Sequence, residues 1–118
     1  MSDLKRHVLI VDDKREMADM LAEALADEGY QVTPTSSPRK ALELLAADRF
    51  DAVVTDLRMP DVDGLALLTA SRQSDPYRPV IVMTGYGAIE TAIESIRRGA
   101  FHYLTKPFKN EESPPSRP

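Results

Sequence analysis

Short apolar runs alternate along this chain with stretches in which apolar residues recur at helical spacing. The first run, His7–Val11, is followed by apolar residues at i, i+3, i+4, i+7 and i+8, namely Met17, Met20, Leu21, Ala24 and Leu25. This spacing predicts an amphipathic helix with its apolar face, Met17 and Met20 included, toward the core. Strand-length runs that alternate with helices predict βαβ units and a parallel sheet.

The same pattern continues to the end of the chain. Four further strands are predicted at Tyr30–Pro34, Asp51–Thr55, Pro79–Met83 and Ala100–Thr105. Three further helices are predicted: one opened by Ser37 and Pro38 and running to about Ala47, one at Leu65–Arg72, and one that carries Ile89, Ala92, Ile93 and Ile96. Ser37 is a good N-cap with proline following it, Gly29 closes the first helix, and Pro34 favours an edge strand.

The sequence does not predict all the helices that are needed to cover both faces of the sheet. A parallel sheet needs helices on both faces, so a fifth helix should follow Phe108. Residues 109–118 instead contain three prolines, two serines and no apolar residue. We therefore expect one domain over residues 1–108, with the fifth helix missing or replaced, and a linker or disordered tail over 109–118. Apolar surface beside the first helix should then be exposed.

Composition narrows the function classes. The chain has 118 residues, no cysteine and a formal net charge of −4. One domain of this length can bury a core without disulfides, and a thiolate metal site is excluded. Neither a signal peptide nor a membrane-spanning run is present, so a cytoplasmic protein without membrane contact is expected. The negative charge argues against direct nucleic-acid binding by this segment.

Candidate chemistry collects where the predicted strands end. Asp12 and Asp13 follow the first strand and Asp56 the third, while Thr84 follows the fourth and Lys106 the fifth. Ligands of open parallel sheets bind at this carboxyl edge, so these side chains should converge. Because clustered carboxylates repel one another, a chain that assembles them normally does so to hold a hard cation.

Such a constellation suits phosphoryl transfer to an aspartate. Mg²⁺ takes carboxylate, carbonyl and water oxygens and often completes its shell with a phosphate. An ammonium and a hydroxyl suit the remaining phosphoryl oxygens, and one carboxylate can act as a nucleophile that forms an acyl phosphate.

Four motifs in register carry a family resemblance. They are Val-Asp-Asp at 11–13, Asp-Leu-Arg-Met-Pro-Asp-Val-Asp-Gly at 56–64, Thr-Gly-Tyr-Gly at 84–87 and Tyr-Leu-Thr-Lys-Pro-Phe at 103–108. Over about residues 5–108 the chain resembles the receiver domain of two-component response regulators, and residues 84–108 are similar to the nitrogen-regulation (NtrC-like) class. The resemblance implies a flavodoxin-like, doubly wound five-stranded parallel sheet of order 2-1-3-4-5.

The resemblance also implies roles for single residues. Asp56 would be the phosphoacceptor. Asp13, Asp56 and the backbone carbonyl of Arg58 would ligate Mg²⁺, and Asp12 would act mainly through a bound water. The implied partners are a sensor histidine kinase as phosphodonor and a transcription-activating output domain in a longer parent chain. A homodimer is left open.

The switch residues are implied in the same way. Lys106 would pair with the phosphoryl group, Thr84 would swing to bond a phosphoryl oxygen, and Tyr103 would turn inward behind it. Asp61 and Asp63 are predicted to be turn and cap residues, and His7 and His102 to be structural.

Two other functions compete with a non-enzymatic signalling switch. An Mg²⁺-dependent aspartyl-phosphate phosphohydrolase of the haloacid-dehalogenase type would carry its nucleophile after the first strand in an Asp-x-Asp pattern, which Val-Asp-Asp-Lys does not match. A phosphate-independent interaction module would be expected to lack Asp56 or Lys106, and the sequence has both.

Overall fold

A single parallel sheet organises the protein. The computed structural model describes residues 6–85 and 89–105. In these ranges the strands are β1 (His7–Val11), β2 (Gln31–Thr35), β3 (Ala52–Asp56), β4 (Val80–Thr84) and β5 (His102–Thr105). The helices are α1 (Arg15–Asp27), α2 (Pro38–Ala47), α3 (Gly64–Ser74) and α4 (Ile89–Arg97). The strand order is β2-β1-β3-β4-β5, which confirms the predicted sheet, with strand ends shifted by one or two residues.

The interior strand β1 contributes side chains to two separate cores. Leu9 and Val11 pack in the cluster formed with α2 and α3, whereas Val8 and Ile10 pack with α1. Successive side chains of a strand point to opposite faces, so a strand covered on both sides must be apolar throughout. Each large side chain that is fully buried stabilises the fold by about 1.5–3 kcal/mol. The two cores therefore outweigh the exposed ion pairs, which contribute about 0–1 kcal/mol each.

The contact face of α1 differs from the prediction. Ala18, Leu21, Ala22 and Leu25 pack on the sheet, whereas Met20 is 47% exposed and Ala24 is exposed. The placement of Met20 in the core was therefore wrong. The helix lies over β1 and β2, so one flank of its wide apolar stripe is left uncovered. The spacing of apolar residues alone does not determine which flank of the apolar stripe contacts the sheet.

Local signals fix the element boundaries as predicted. Ser37 caps α2 by accepting a hydrogen bond from the Lys40 amide at 3.1 Å, and Pro38 occupies the first turn. Gly29 and Gly99 follow α1 and α4 with φ values of 100° and 107°. This left-handed conformation ends a helix at little cost only for glycine. β2 lies at the sheet edge, where the missing N–H of Pro34 is tolerated.

In residues 6–85 and 89–105, no helix combines the length and the apolar character needed to cross a membrane.

The first residue of α3 makes a close backbone contact that tests the fold. A Cβ added at Gly64 would overlap the carbonyl oxygen of Asp56 and lie 2.7 Å from the Cα of Leu57. Gly64→Ala should therefore lower the free energy of unfolding by about 1–3 kcal/mol, although alanine is the better helix former. Urea denaturation measures this loss.

Gly85→Ala is the matched control, because a Cβ at Gly85 meets no atom of the described residues within 4 Å. It should change the free energy of unfolding by less than about 1 kcal/mol. Equal stability losses for the two variants would contradict the close contact at Gly64.

Candidate functional site

Three carboxylates meet at the carboxyl edge of the sheet. One oxygen each from Asp12, Asp13 and Asp56 lie within 4.8 Å of one another. The cause is the register of β1 and β3, which pairs Val11 with Thr55 and so brings the next residues, Asp12 and Asp56, side by side. The predicted convergence of these acids is confirmed.

The cluster is withdrawn from solvent. Asp12 is fully buried and Asp56 is 6% exposed, while Asp13 is half-buried. Asp12 Oδ1 accepts a hydrogen bond from the Lys14 amide at 2.9 Å, which turns the chain from β1 into α1. Like charges held this close repel one another, and burial weakens the screening of that repulsion by water. The arrangement therefore stores electrostatic repulsion unless a positive charge offsets it.

One oxygen of the cluster lacks the partner that burial normally requires. Asp13 Oδ1 is buried and has no hydrogen-bond partner within the described residues. A buried acceptor without a donor costs free energy, and a carboxylate oxygen is a preferred ligand of hard divalent cations. The donor set and this unsatisfied oxygen fit Mg²⁺.

The loop between β3 and α3, residues 57–63, borders the cluster. The amide of Gly64 donates to the Leu57 carbonyl at 3.0 Å and closes the loop. Arg58 lies in it, directly beyond Leu57, with an exposed side chain. Asp63 caps α3 through a 2.9 Å bond from the Ala66 amide, and Asp61 adopts a turn conformation with φ of 74°. The predicted turn and cap roles are thus confirmed.

Thr84 and Tyr103 lie on one face of the sheet beside the cluster. β4 and β5 pair Val82 with Tyr103, so Tyr103 shares the face of Val82 and of Thr84 two residues on. Thr84 is 2% exposed, and its Oγ1 donates to the Leu104 carbonyl at 3.5 Å. Tyr103 is partly buried against the core cluster of α2 and α3. Thr84 and Tyr103 therefore share one sheet face, and their role as a switch pair stays a prediction.

Several predicted features lie outside the described residues. They are Lys106, the missing fifth helix and the tail over 109–118, and all three remain predictions. Among the described residues, the apolar side chains of Met20 in α1 and Leu104 in β5 are exposed, at 47% and 39%.

The histidines lie away from the acids. His7 begins β1 at the opposite end of the strand, where its Nε2 is 2.7 Å from Thr33 Oγ1 and its ring lies 4.4 Å from that of Phe50. His102 is exposed at the start of β5. These positions agree with structural roles.

Sequence reasoning missed one interaction near the site. Arg39 in the first turn of α2 binds Asp61 through two hydrogen bonds, although the residues are 22 positions apart. The only sequence signal is an acidic residue in a turn-rich segment, which does not name a partner.

Comparisons with known proteins agree with this geometry. The profile of the response regulator receiver domain matches residues 8–113. The regulatory protein AtoC of Escherichia coli K12 is 42% identical over 105 residues, which are 89% of this chain and 23% of AtoC. The DNA-binding transcriptional regulator NtrC of the same strain is 40% identical over 106 residues, 90% of this chain and 23% of NtrC. These relatives confirm the predicted similarity to the NtrC-like class.

A solved structure gives the same result. A response regulator of Burkholderia pseudomallei, crystallised with a phosphorylated aspartic acid, a calcium ion and citrate, has a TM-score of 0.81 and 32% identity. The match covers 89% of this chain and 62% of that one. The chain spans about a quarter of the length of the curated relatives it matches.

Removal of one charge from the cluster should distinguish two effects on stability, the repulsion among the carboxylates and the stabilisation by bound Mg²⁺. Without metal, we expect Asp13→Asn to raise the free energy of unfolding by up to about 1 kcal/mol, because it removes one of three carboxylates that repel one another. MgCl₂ at 100 times its dissociation constant should stabilise the wild type by about 2.7 kcal/mol, and the variant should lose most of that gain. Thermal unfolding with and without MgCl₂ measures both effects.

Asp48→Asn removes the same charge at an exposed site outside the cluster. It should retain the full response to MgCl₂. An undiminished response in Asp13→Asn would contradict the assignment of a cation site.

Proposed function

Because the chain belongs to the family of response regulator receiver domains, we propose that it is a phosphorylation-dependent signalling switch in which Asp56 accepts a phosphoryl group with Mg²⁺. The convergence of Asp12, Asp13 and Asp56 within 4.8 Å carries this proposal. The unsatisfied Asp13 oxygen supports it, because a metal would supply the missing partner.

The roles of the acids follow from their positions. Asp13, Asp56 and the Arg58 carbonyl would hold the ion, and the deeper Asp12 would act through a bound water. When bound, Mg²⁺ supplies positive charge that offsets both the carboxylates and the charge on the phosphoryl oxygens. Asp56 is mostly buried but not sealed, at 6% exposed, so a donor can approach it from the sheet edge.

The transfer step needs no other cofactor. An oxygen of Asp56 attacks phosphorus of a phosphohistidine on a sensor kinase. The new O–P bond forms as the P–N bond breaks, and the electron pair returns to the imidazole, which takes up a proton. The product is an acyl phosphate on Asp56, and Lys106 would pair with its oxygens. The protein is thus a phosphoacceptor rather than an enzyme with a turnover substrate.

The readout of the phosphate would use Thr84 and Tyr103. The Thr84 hydroxyl would leave the Leu104 carbonyl, to which it donates at 3.5 Å, and bond a phosphoryl oxygen. Tyr103, on the same sheet face, would move further inward and change the surface of β5. This is a two-state element biased by one local charge.

The relatives support a transcriptional output. NtrC is a DNA-binding regulator and AtoC a regulatory protein, and each is about four times the matched length. We propose that this domain controls such an output domain in a longer chain, in the cytoplasm, where sensor kinases present their phosphohistidine. Phosphorylation-dependent pairing of two receivers is one way in which the switch could act on that output.

Incubation with acetyl phosphate and MgCl₂ tests the proposal. Mass spectrometry should show an adduct of about 80 Da, one phosphoryl group, that hydroxylamine removes as expected for an acyl phosphate. Asp56→Asn should lose the adduct, because an amide is not a nucleophile for phosphorus. Asp48→Asn, an exposed change elsewhere, should keep it.

The competing functions give different results. Steady hydrolysis of many phosphoesters would indicate the Mg²⁺-dependent phosphohydrolase instead of a switch. Absence of any adduct would indicate a phosphate-independent interaction module.

A further inference from the structure

The β3–α3 loop holds an unusual backbone conformation next to the metal site. Among the non-glycine residues that the structure describes, Asp61 alone has a positive φ, 74°. Such a conformation costs an L-residue about 1–2 kcal/mol, somewhat less for aspartate. The same loop contains Arg58, whose carbonyl is a proposed ligand. Something must therefore hold the loop in this shape.

Two short hydrogen bonds close the loop from inside. The Gly64 amide donates to the Leu57 carbonyl at 3.0 Å, and the Val62 amide donates to the Pro60 carbonyl at 2.8 Å. Neither bond uses the Asp61 side chain or the Arg58 carbonyl. The Val62–Pro60 bond closes a tight turn around Asp61, and Leu57 and Met59, on either side of Arg58, are buried. The half-exposed side chain of Asp61 is left for a contact with another element.

Arg39 provides that contact. Its Nε donates to Asp61 Oδ2 at 2.7 Å and its Nη2 to Oδ1 at 3.1 Å. The hydrogen bond first, and then the attraction to Asp61, raise the pKa of the Arg39 guanidinium above its ordinary value. A two-bond fork fixes the orientation of a carboxylate as well as its position.

Arg39 is part of a well-anchored helix. Arg39 lies in the first turn of α2, which is capped by Ser37 and anchored by the buried residues Ala41 and Leu45. The paired side chains themselves are 69% and 51% exposed, so the pair adds little to global stability. Its effect should therefore be confined to the loop that it orients.

We propose that Arg39 is a positioning residue for the metal site, whose fork onto Asp61 holds the β3–α3 loop so that the Arg58 carbonyl faces the cation. This inference rests on the proposed function, since it requires Mg²⁺ at the acidic cluster. Arg39 contacts neither the ion nor the phosphoacceptor and acts through Asp61.

The direction in which Arg39→Gln changes Mg²⁺ affinity distinguishes a positioning role from a purely electrostatic effect of the Arg39 charge. If Arg39 acted only through its field, Arg39→Gln would remove a repelling positive charge and tighten Mg²⁺ binding. If it positions the loop, the same change weakens binding. Arg39→Lys keeps the charge and loses the fork, so a weakened lysine variant also indicates geometry.

The Mg²⁺ dissociation constant, measured from the rise in melting temperature with MgCl₂ concentration, tests the inference. We expect Arg39→Gln, Arg39→Lys and Asp61→Asn each to bind about two- to fivefold more weakly, the range that an exposed ion pair can supply. Asparagine tolerates positive φ as aspartate does, so Asp61→Asn isolates the ion pair from backbone strain. The double variant Arg39→Gln, Asp61→Asn should be no weaker than either single variant, because both remove one interaction.

Lys40→Gln is the matched control, since Lys40 is the next residue of α2 and is exposed. It should bind Mg²⁺ as the wild type does, or slightly more tightly. Unchanged or tighter binding by both Arg39 variants, with a normal wild type, would overturn the positioning role alone. A wild type that does not bind Mg²⁺ would overturn the proposed function and this inference with it.

Discussion

Mutual repulsion among three clustered carboxylates, two buried and one half-buried, is the constraint on which the rest of the structure depends. Asp12, Asp13 and Asp56 cannot move apart, because the register of β1 and β3 sets two of them side by side. β1 maintains that register, because its side chains pack in apolar cores on both faces of the sheet. A one-residue slip would exchange the two faces and is strongly disfavoured. Hydrophobic burial thus holds three carboxylates close together, where a bound cation would offset their charge.

The loop beyond β3 is the less constrained part of the site. Gly64 rests directly on the Asp56 backbone, so the start of α3 and the end of β3 form one rigid unit. Between them, Leu57 and Met59 anchor the loop in the core, and the surface pair of Arg39 and Asp61 adds a contact at its outer end. The carboxylates are therefore fixed by the core, whereas the proposed carbonyl ligand from Arg58 would also depend on this weaker, solvent-exposed pair. Affinity for the ion could vary without a change in the fold.

Features encoded locally were predictable from the sequence. The positions of the strands, the acids at their ends, the Ser37 cap and the Gly29 terminus each depend on a short pattern with one dominant structural solution, whereas the strand order was implied by the family resemblance. The flank of α1 that contacts the sheet was not predictable, because Met20 and Ala24 satisfy the same helical period as the residues that pack against the sheet. Nor was the Arg39–Asp61 pair, because it joins exposed residues 22 positions apart whose meeting depends on the path of a loop.

The hydroxyl of Thr84 sets how easily the proposed switch could operate. Its bond to the Leu104 carbonyl is long, at 3.5 Å, so little interaction energy is lost when the hydroxyl leaves. This contact therefore contributes little to the free energy that would separate the resting state from the proposed alternative, and a small difference would give the second state a measurable population at equilibrium. The domain would then have a basal signalling level, and phosphorylation would shift an existing balance instead of creating a new conformation.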